Sequence, residues 1–365
     1  MDITQFKKEL ITKNIIFTEN ESLAQFTTWK IGGPADVFIR LKEPKLLVDI
    51  LKSAKQFDVP ITFLGSGSNV LIHDNGIRGL VIRNEYSGIT IDDKPIELST
   101  ESLNEQEISI PEPEARLIQA DPEAYYDFMK LDYDESNKPR IKVLINSGTY
   151  LSYAINYLIS QGITGLQWFA GIPGTIGGAI FNNIHGGSHF FSEYLDAVEL
   201  IDNNGKTQLL QKNQLGVDYD KTDLQDSFSF IKTGFFSLPL GDKEKAQHTA
   251  IAWATAKKKR QPYNSGGCSF KNITTEELRK LDIPSNGWGY IIDQILQLKG
   301  FQIGGAKISN LHAAFIENTG NASSEDVLSI MNHIYHEANQ KLHGVTPKTE
   351  IFFLGFNQAE IEKFL

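Results

Sequence analysis

The chain has 365 residues, 41% of them hydrophobic and 22% charged, enough for two or three domains with cores of their own. A formal charge of −10 leaves no basic footprint for nucleic acid, and a single cysteine, Cys268, excludes an internal disulfide and a cysteine-rich metal centre, so no metal is expected. The opening MDITQFKKELITKN lacks an apolar signal core, and no run of about 18 apolar residues follows, so a soluble cytoplasmic protein without a membrane partner is expected.

From the amino end, residues 35–41 alternate as a strand does, entered through the turn Gly32-Gly33-Pro34. Helical spacing of Leu46, Leu47, Ile50 and Leu51 predicts a helix over 43–57, and 59–64 is a short apolar run of strand type. The order strand, helix, strand begins an α/β unit. Gly65, Ser66, Gly67, Ser68 and Asn69 follow as a loop of small side chains, then a strand over 70–72. Because a strand and not a helix follows, the dinucleotide fingerprint of the doubly wound fold does not apply; a loop wrapping a diphosphate does. Residues 91–140 are acidic, carry five prolines and lack sustained periodicity. They read as a surface insertion, part helix around 122–131. A strand over 141–147 and a helix over 150–161 return to regular patterning.

Residues 165–187 read GLQWFAGIPGTIGGAIFNNIHGG. Their core, Gly171, Ile172, Pro173, Gly174, Thr175, Ile176, Gly177 and Gly178, places four glycines in eight residues with no charge among them, and Ala179, Asn182 and Asn183 follow closely. Such a stretch is either a tight turn between buried elements or a surface of backbone N–H groups suited to a phosphate or a flat polar ring. Further on, Asn203-Asn204-Gly205 marks a hairpin between 197–202 and 207–210, and 227–238 alternates as a strand. A helix over 243–260 ends in Lys257-Lys258-Lys259-Arg260, which suits either its negative end or the phosphates of a nucleotide. Cys268 sits in a glycine-rich turn beside Lys271, and is either inert or presented to a ligand. Residues 291–298 read as helix. A third glycine-bearing loop leads to Ser309 and to His312, by default a core or surface histidine. A long helix over 323–342 opens on a Ser-Ser-Glu-Asp cap, and a closing strand over 348–354 carries Glu350.

Together TTWKIGGPAD (27–36), LGSGSNVLI (64–72), GLQWFAGIPGTIGGAIFNN (165–183), GGCSFKN (266–272), IIDQILQLKGFQIGGAKISNLHAAFIEN (291–318) and TEIFFLG (349–355) resemble the UDP-N-acetylenolpyruvoylglucosamine reductase family of bacterial peptidoglycan synthesis. The resemblance spans nearly all the chain outside 91–140. It implies an α+β protein of the FAD-binding vanillyl-alcohol-oxidase (PCMH) type: two α/β subdomains (1–90 and 141–219) and a substrate-binding domain (220–330), closed by 331–365. The short link at 239–260, with no extra tyrosine-bearing loop, resembles the family's shorter type. It implies FAD and NADPH as cofactors and UDP-N-acetylglucosamine enolpyruvate as substrate, and we expect a monomer.

Carried over by position, Gly65 to Asn69 hold the FAD pyrophosphate, and Gly171 to Ala179 line the isoalloxazine and ribityl chain. Cys268 stands where the family has a serine acid; an ordinary thiol, with a pKa of about 8.5, is mostly protonated at neutral pH and far more acidic than a serine hydroxyl. Glu350 matches the glutamate that polarises the enolpyruvyl group, while Lys271, Asn272 and Tyr219 match substrate-binding positions. Two departures stand out. Asp220 takes the place of an arginine that would stabilise developing negative charge, so either the correspondence slips, or Lys221 substitutes, or the site is rearranged. Residues 182–187 replace the usual Asn-Ala-Gly-Ala. The alternative implied by Asp220 is a non-catalytic or repurposed flavoprotein on the same scaffold.

Overall fold

The computed structural model describes residues 1–95 and 131–365, so most of the acidic stretch 91–140, including all but the last residue of the helix expected around 122–131, lies outside the described residues. The chain forms two compact units, passing between them at 17/18, 38/39, 66/67, 81/82 and 258/259.

The first unit contains an antiparallel sheet of six strands. Leu195–Asp202 lies in it between Thr207–Gln211 and Ser229–Pro239; next come Arg140–Asn146, Ile89–Ile91 and Lys94–Pro95. The expected hairpin closes with Ile201 opposite Thr207, and the long strand pairs Thr233 with Asn146. The helix Leu151–Ser160 packs its apolar side into a core with Trp168, Phe169, Phe191 and Phe236. In the same unit the helix Lys45–Gln56 turns Leu47, Ile50, Leu51 and Ala54 inward, at the three-to-four residue spacing that one helical face requires. It is followed by the strand Ile61–Leu64.

The second unit is built on a three-stranded antiparallel piece, Gln302–Ile303, Ala306–Ile308 and Ile316–Asn318, packed against the helix Ser324–Lys341. That helix begins at a true capping box: the Ser323 hydroxyl accepts from Asp326 N at 3.0 Å, and the Asp326 carboxylate accepts from Ser323 N at 3.1 Å. Trp29, fully buried, donates from Nε1 to Ile316 O at 2.7 Å. Thr18–Ser22 pairs antiparallel with Pro34–Leu41 in register Thr18 to Phe38, and Phe352–Leu354 lies parallel to Val70–Ile72.

Two sequence expectations are corrected, and one strand is added. The stretch 291–298 is not an ordinary helix: Ile291–Ile295 forms a π-type turn, with Leu296 N donating five residues back to Ile291 O, and Gln297 at φ +59° ends it. The closing strand is only Phe352–Leu354, so Glu350 precedes it; there Thr349 bridges Phe270, and the backbone turns between two partners. The strand Ile77–Asn84, absent from the sequence reading, is buried continuously from Gly79 to Ile82.

Candidate active site

In the first unit the strand Ile61–Leu64 delivers Gly65 and Ser66 beside the other glycine loop: a Cβ placed on Gly65 would lie 3.1 Å from Thr175 Oγ1. Thr175 is the N-cap of the helix Ile176–Phe181, its hydroxyl accepting from Gly178 N at 3.3 Å. The loop's amides are largely spent within the protein. Ile172 N donates to Phe169 O, Ile176 N to Thr149 O, Gly177 N to Ser147 O and Ala179 N to Thr175 O, at 2.8 to 3.2 Å. What Gly171 to Gly178 presents is therefore bare backbone surface and few free donors, which suits the face of a flat ring better than a phosphate. A Cβ on Gly178 would meet nothing closer than 3.7 Å, so that side is open. Lys257 underpins the loop from the helix Lys243–Arg260, its ammonium donating to Ala170 O at 3.1 Å, and burial pulls its pKa down from 10.5 to about 7. Of the two readings of the basic helix end, this lysine takes a structural one.

Tyr219 and Asp220, also in the first unit, occupy a tight turn whose ends, Asp218 and Lys221, exchange backbone hydrogen bonds at 3.0 and 3.3 Å. Asp220 Oδ1 lies 3.1 Å from His185 Nδ1, a residue that reasoning from the sequence passed over. Lys221 reaches Asp226 at 3.7 Å.

In the second unit Gly67 can only be glycine: its φ is +71°, and a Cβ there would sit 2.1 Å from Phe26 O. Thr28 N donates to Gly67 O at 3.2 Å, and the neighbouring Thr28 hydroxyl is buried without a hydrogen-bond partner. An orphaned hydroxyl beside a loop of serines fits a stretch that holds an anion. Asn69 then joins two parts of the candidate site: its Nδ2 donates to Glu350 O at 3.2 Å, and its carbonyl accepts from Phe352 N at 3.0 Å.

The Cys268 loop lies along this same segment. Glu350 N donates to Ser269 O at 3.1 Å, Phe270 bridges Thr349, and Lys271 N donates to Lys348 O at 2.8 Å. Ser269 N is held by Ala314 O at 2.9 Å, while His312 Nδ1 accepts from Ala314 N at 3.2 Å. Burial, with help from Arg260 and Lys299, lowers the pKa of His312, so its neutral form suits this supporting bond. Cys268 and Glu350 are half-buried; Lys271 and Asn272 are exposed. One ladder thus carries the thiol, the carboxylate, the lysine and Asn69.

Residues 259–354 match the family model described as UDP-N-acetylenolpyruvoylglucosamine reductase, C-terminal domain, and residues 128–211 match an FAD binding domain. The UDP-N-acetylenolpyruvoylglucosamine reductase of Halalkalibacterium halodurans is 30% identical over 338 residues, 92% of this chain and 93% of that protein. The chain belongs to the UDP-N-acetylenolpyruvoylglucosamine reductase family. The Bacillus subtilis relative of the same name is 30% identical over 342 residues, covering 93% and 94% of the two chains. The Thermus caldophilus reductase superposes with a TM-score of 0.65 at 24% identity, over 93% of this chain and all of that one, so the fold is shared. This reductase is an FAD-binding oxidoreductase of cell-wall synthesis that uses NADPH. Among the described residues, no helix is long and apolar enough to cross a membrane.

Proposed function

We propose that the chain reduces UDP-N-acetylglucosamine enolpyruvate with Cys268 as proton donor and Glu350 as the group that polarises the enolpyruvyl unit. The observation that carries this assignment is the backbone pairing in which Glu350 N donates to Ser269 O, next to the Phe270–Thr349 bridge, so that the Cys268 loop and the Glu350 segment run side by side. Bound FAD supplies a hydride taken from NADPH, to be delivered to the terminal enolpyruvyl carbon. Gly65 to Asn69, with the Thr28 hydroxyl, hold its diphosphate, and the bare backbone of Gly171 to Ala179 takes the ring face. As the terminal carbon gains its hydrogen, the electron pair of the double bond moves to the adjacent carbon and its carboxylate. The Cys268 thiol then yields its proton to that adjacent carbon, giving the lactyl ether and a thiolate that solvent reprotonates. Lys271 and Asn272, exposed at the loop's end, meet the substrate phosphates, a role for which a mobile ammonium is suited.

The substrate domain at 220–330, the surface insertion at 91–140, a monomeric state and a cytoplasmic location complete the reading. Anaerobic NADPH oxidation by the purified holoprotein, with and without the enolpyruvyl sugar, tests it: oxidation beyond one equivalent of the bound flavin should require the sugar. Flavin that bleaches with NADPH and never recolours on adding the sugar would sink the assignment in favour of a repurposed flavoprotein.

A further inference from the structure

Within the second unit, His312 stands at the head of three hydrogen bonds that end at Glu350. His312 Nδ1 accepts from Ala314 N at 3.2 Å, Ala314 O accepts from Ser269 N at 2.9 Å, and Ser269 O accepts from Glu350 N at 3.1 Å. Ser269 follows Cys268 directly. It is fully buried, and its hydroxyl has no hydrogen-bond partner among the described residues, so its backbone places it. The turn that carries His312 is closed on itself: Ser309 N donates to Phe315 O at 2.9 Å, Phe315 N to His312 O at 3.1 Å, and Leu311 N to Ser309 Oγ at 3.2 Å. Room for the ring depends on Gly289, where a Cβ would run into His312 Cε1. An acceptor at Nδ1 requires an imidazole that carries its one proton on Nε2. A second proton would turn Nδ1 into a donor facing the Ala314 N–H, and Ala314 is buried, so solvent does not take that amide over. Burial is the largest influence holding the pKa of His312 below 6.5; Arg260 and Lys299 add to it, and Asp293, which opposes it, is 2.8 Å from the Lys299 ammonium. Because the folded value is the lower one, the bond is intact above pH 6.5 and is lost as the pH falls through that lower value.

We propose that His312 is the positioning residue of the Cys268 loop, and that a second proton on its ring releases Ala314 and Ser269 and slows reduction of the sugar. The slowing rests on the reductase reading above, in which Cys268 gives its proton to the substrate; the release does not. With Ala314 N no longer accepted, the turn shifts and Ala314 O leaves Ser269 N, so the thiol loses the support of the residue beside it. A proton donor displaced by about 1 Å loses its alignment with the carbon it serves, at a loss on the order of a hundredfold. Hydride transfer from NADPH to the flavin has no need of the thiol. The effect of the proton is therefore selective for the second half of the reaction.

The test follows amide exchange and the two half-reactions of the FAD-loaded protein from about pH 5 to about pH 8, in wild type, His312→Asn, His312→Ala and Gly289→Ala. Asparagine puts an amide oxygen where Nδ1 stands and does not titrate. Hydrogen exchange without substrate reads the release: corrected for the intrinsic rate, wild-type protection of Ala314 N should fall about tenfold from neutral to acid pH, and that of Ser269 N by less. His312→Ala should show this loss at every pH, whereas His312→Asn should keep its protection throughout. In stopped-flow half-reactions His312→Ala should slow sugar reduction about tenfold or more, and flavin reduction by NADPH far less. His312→Asn should recover most of that loss and lack the wild-type decline in acid. Gly289→Ala crowds the ring without touching the titrating group, and should resemble His312→Ala. An acid decline as steep in His312→Asn as in wild type, or wild-type protection of Ala314 and Ser269 that is the same at both ends of the range, would overturn the proposal. Should the His312 variants fail to fold, wild-type exchange and Gly289→Ala decide in the same way. Release in acid without sugar reduction at any pH would support the role of His312 in placing the loop, and count against Cys268 and Glu350 instead.

Discussion

Replacing Lys257 by methionine should make the protein more stable near pH 7 and less stable near pH 10.5. Burial lowers this ammonium from 10.5 to about 7, so between those values the unfolded chain binds more protons at this site than the folded one. Wild-type stability attributable to Lys257 therefore rises with pH across that window, by at most ~4–5 kcal/mol at ~1.36 kcal/mol per unit. The side chain as a whole is only half-buried and can relax toward water, so about 2 kcal/mol is the realistic share. Methionine keeps the apolar stem and removes the ionisation cost, but forfeits the hydrogen bond to Ala170 O, worth about 1 kcal/mol. The variant should gain about 1 kcal/mol near pH 7 and lose about 1 kcal/mol once lysine is neutral in both states. Urea unfolding of both holoproteins across this range reads the difference directly. A variant less stable by the same margin at every pH would refute the reasoning, since the lysine would then carry its charge into the fold at no cost.

Three further outcomes follow from the second unit. Cys268→Ser should keep measurable turnover, whereas Cys268→Ala should still let NADPH bleach the flavin and lose sugar reduction; equal turnover in the alanine variant, in stopped-flow half-reactions, removes Cys268 as the proton donor. Gly67→Ala combines a left-handed backbone with a Cβ 2.1 Å from Phe26 O. It should cost about 2–5 kcal/mol and most of the FAD content, and a stable, yellow variant would mean that this loop is softer than its geometry. Asn69→Ala removes the bond to Glu350 O and should lower the urea midpoint by about 1 kcal/mol while weakening FAD; no change in either would detach Asn69 from both roles.

Much of the fold is legible where the signal is local. The helix Lys243–Arg260 has the bounds its sequence predicts, and the capping box at Ser323 and the Asn-Asn-Gly hairpin sit where their side chains require. Thr18–Ser22 does not read as a strand because every residue in it is polar; it becomes one by pairing with Pro34–Leu41. Ile77–Asn84 hides for another reason: its one apolar run, Leu80-Val81-Ile82, is only three residues long and sits between Arg78-Gly79 and Arg83, with no alternation to mark it. The π-type turn at Ile291–Ile295 likewise follows from its surroundings, since its apolar spacing is that of any buried helix.

For the site, the sequence by itself determined the residue types: two glycine loops, a thiol, a glutamate, a lysine and the family they mark. These are motifs of adjacent residues, and adjacency survives any fold. The tertiary structure decided which of them meet. Asn69 touches Glu350 across 281 positions because the parallel pairing of Phe352–Leu354 with Val70–Ile72 brings those backbones side by side, and Ser269 accepts from Glu350 N beside the Phe270–Thr349 bridge. It also decided the meaning of Asp220, which the sequence presents as a charge of the wrong sign. Only the fold sets His185 3.1 Å away, because a side chain this enclosed must find its hydrogen-bond partner in space, here 35 positions back along the chain.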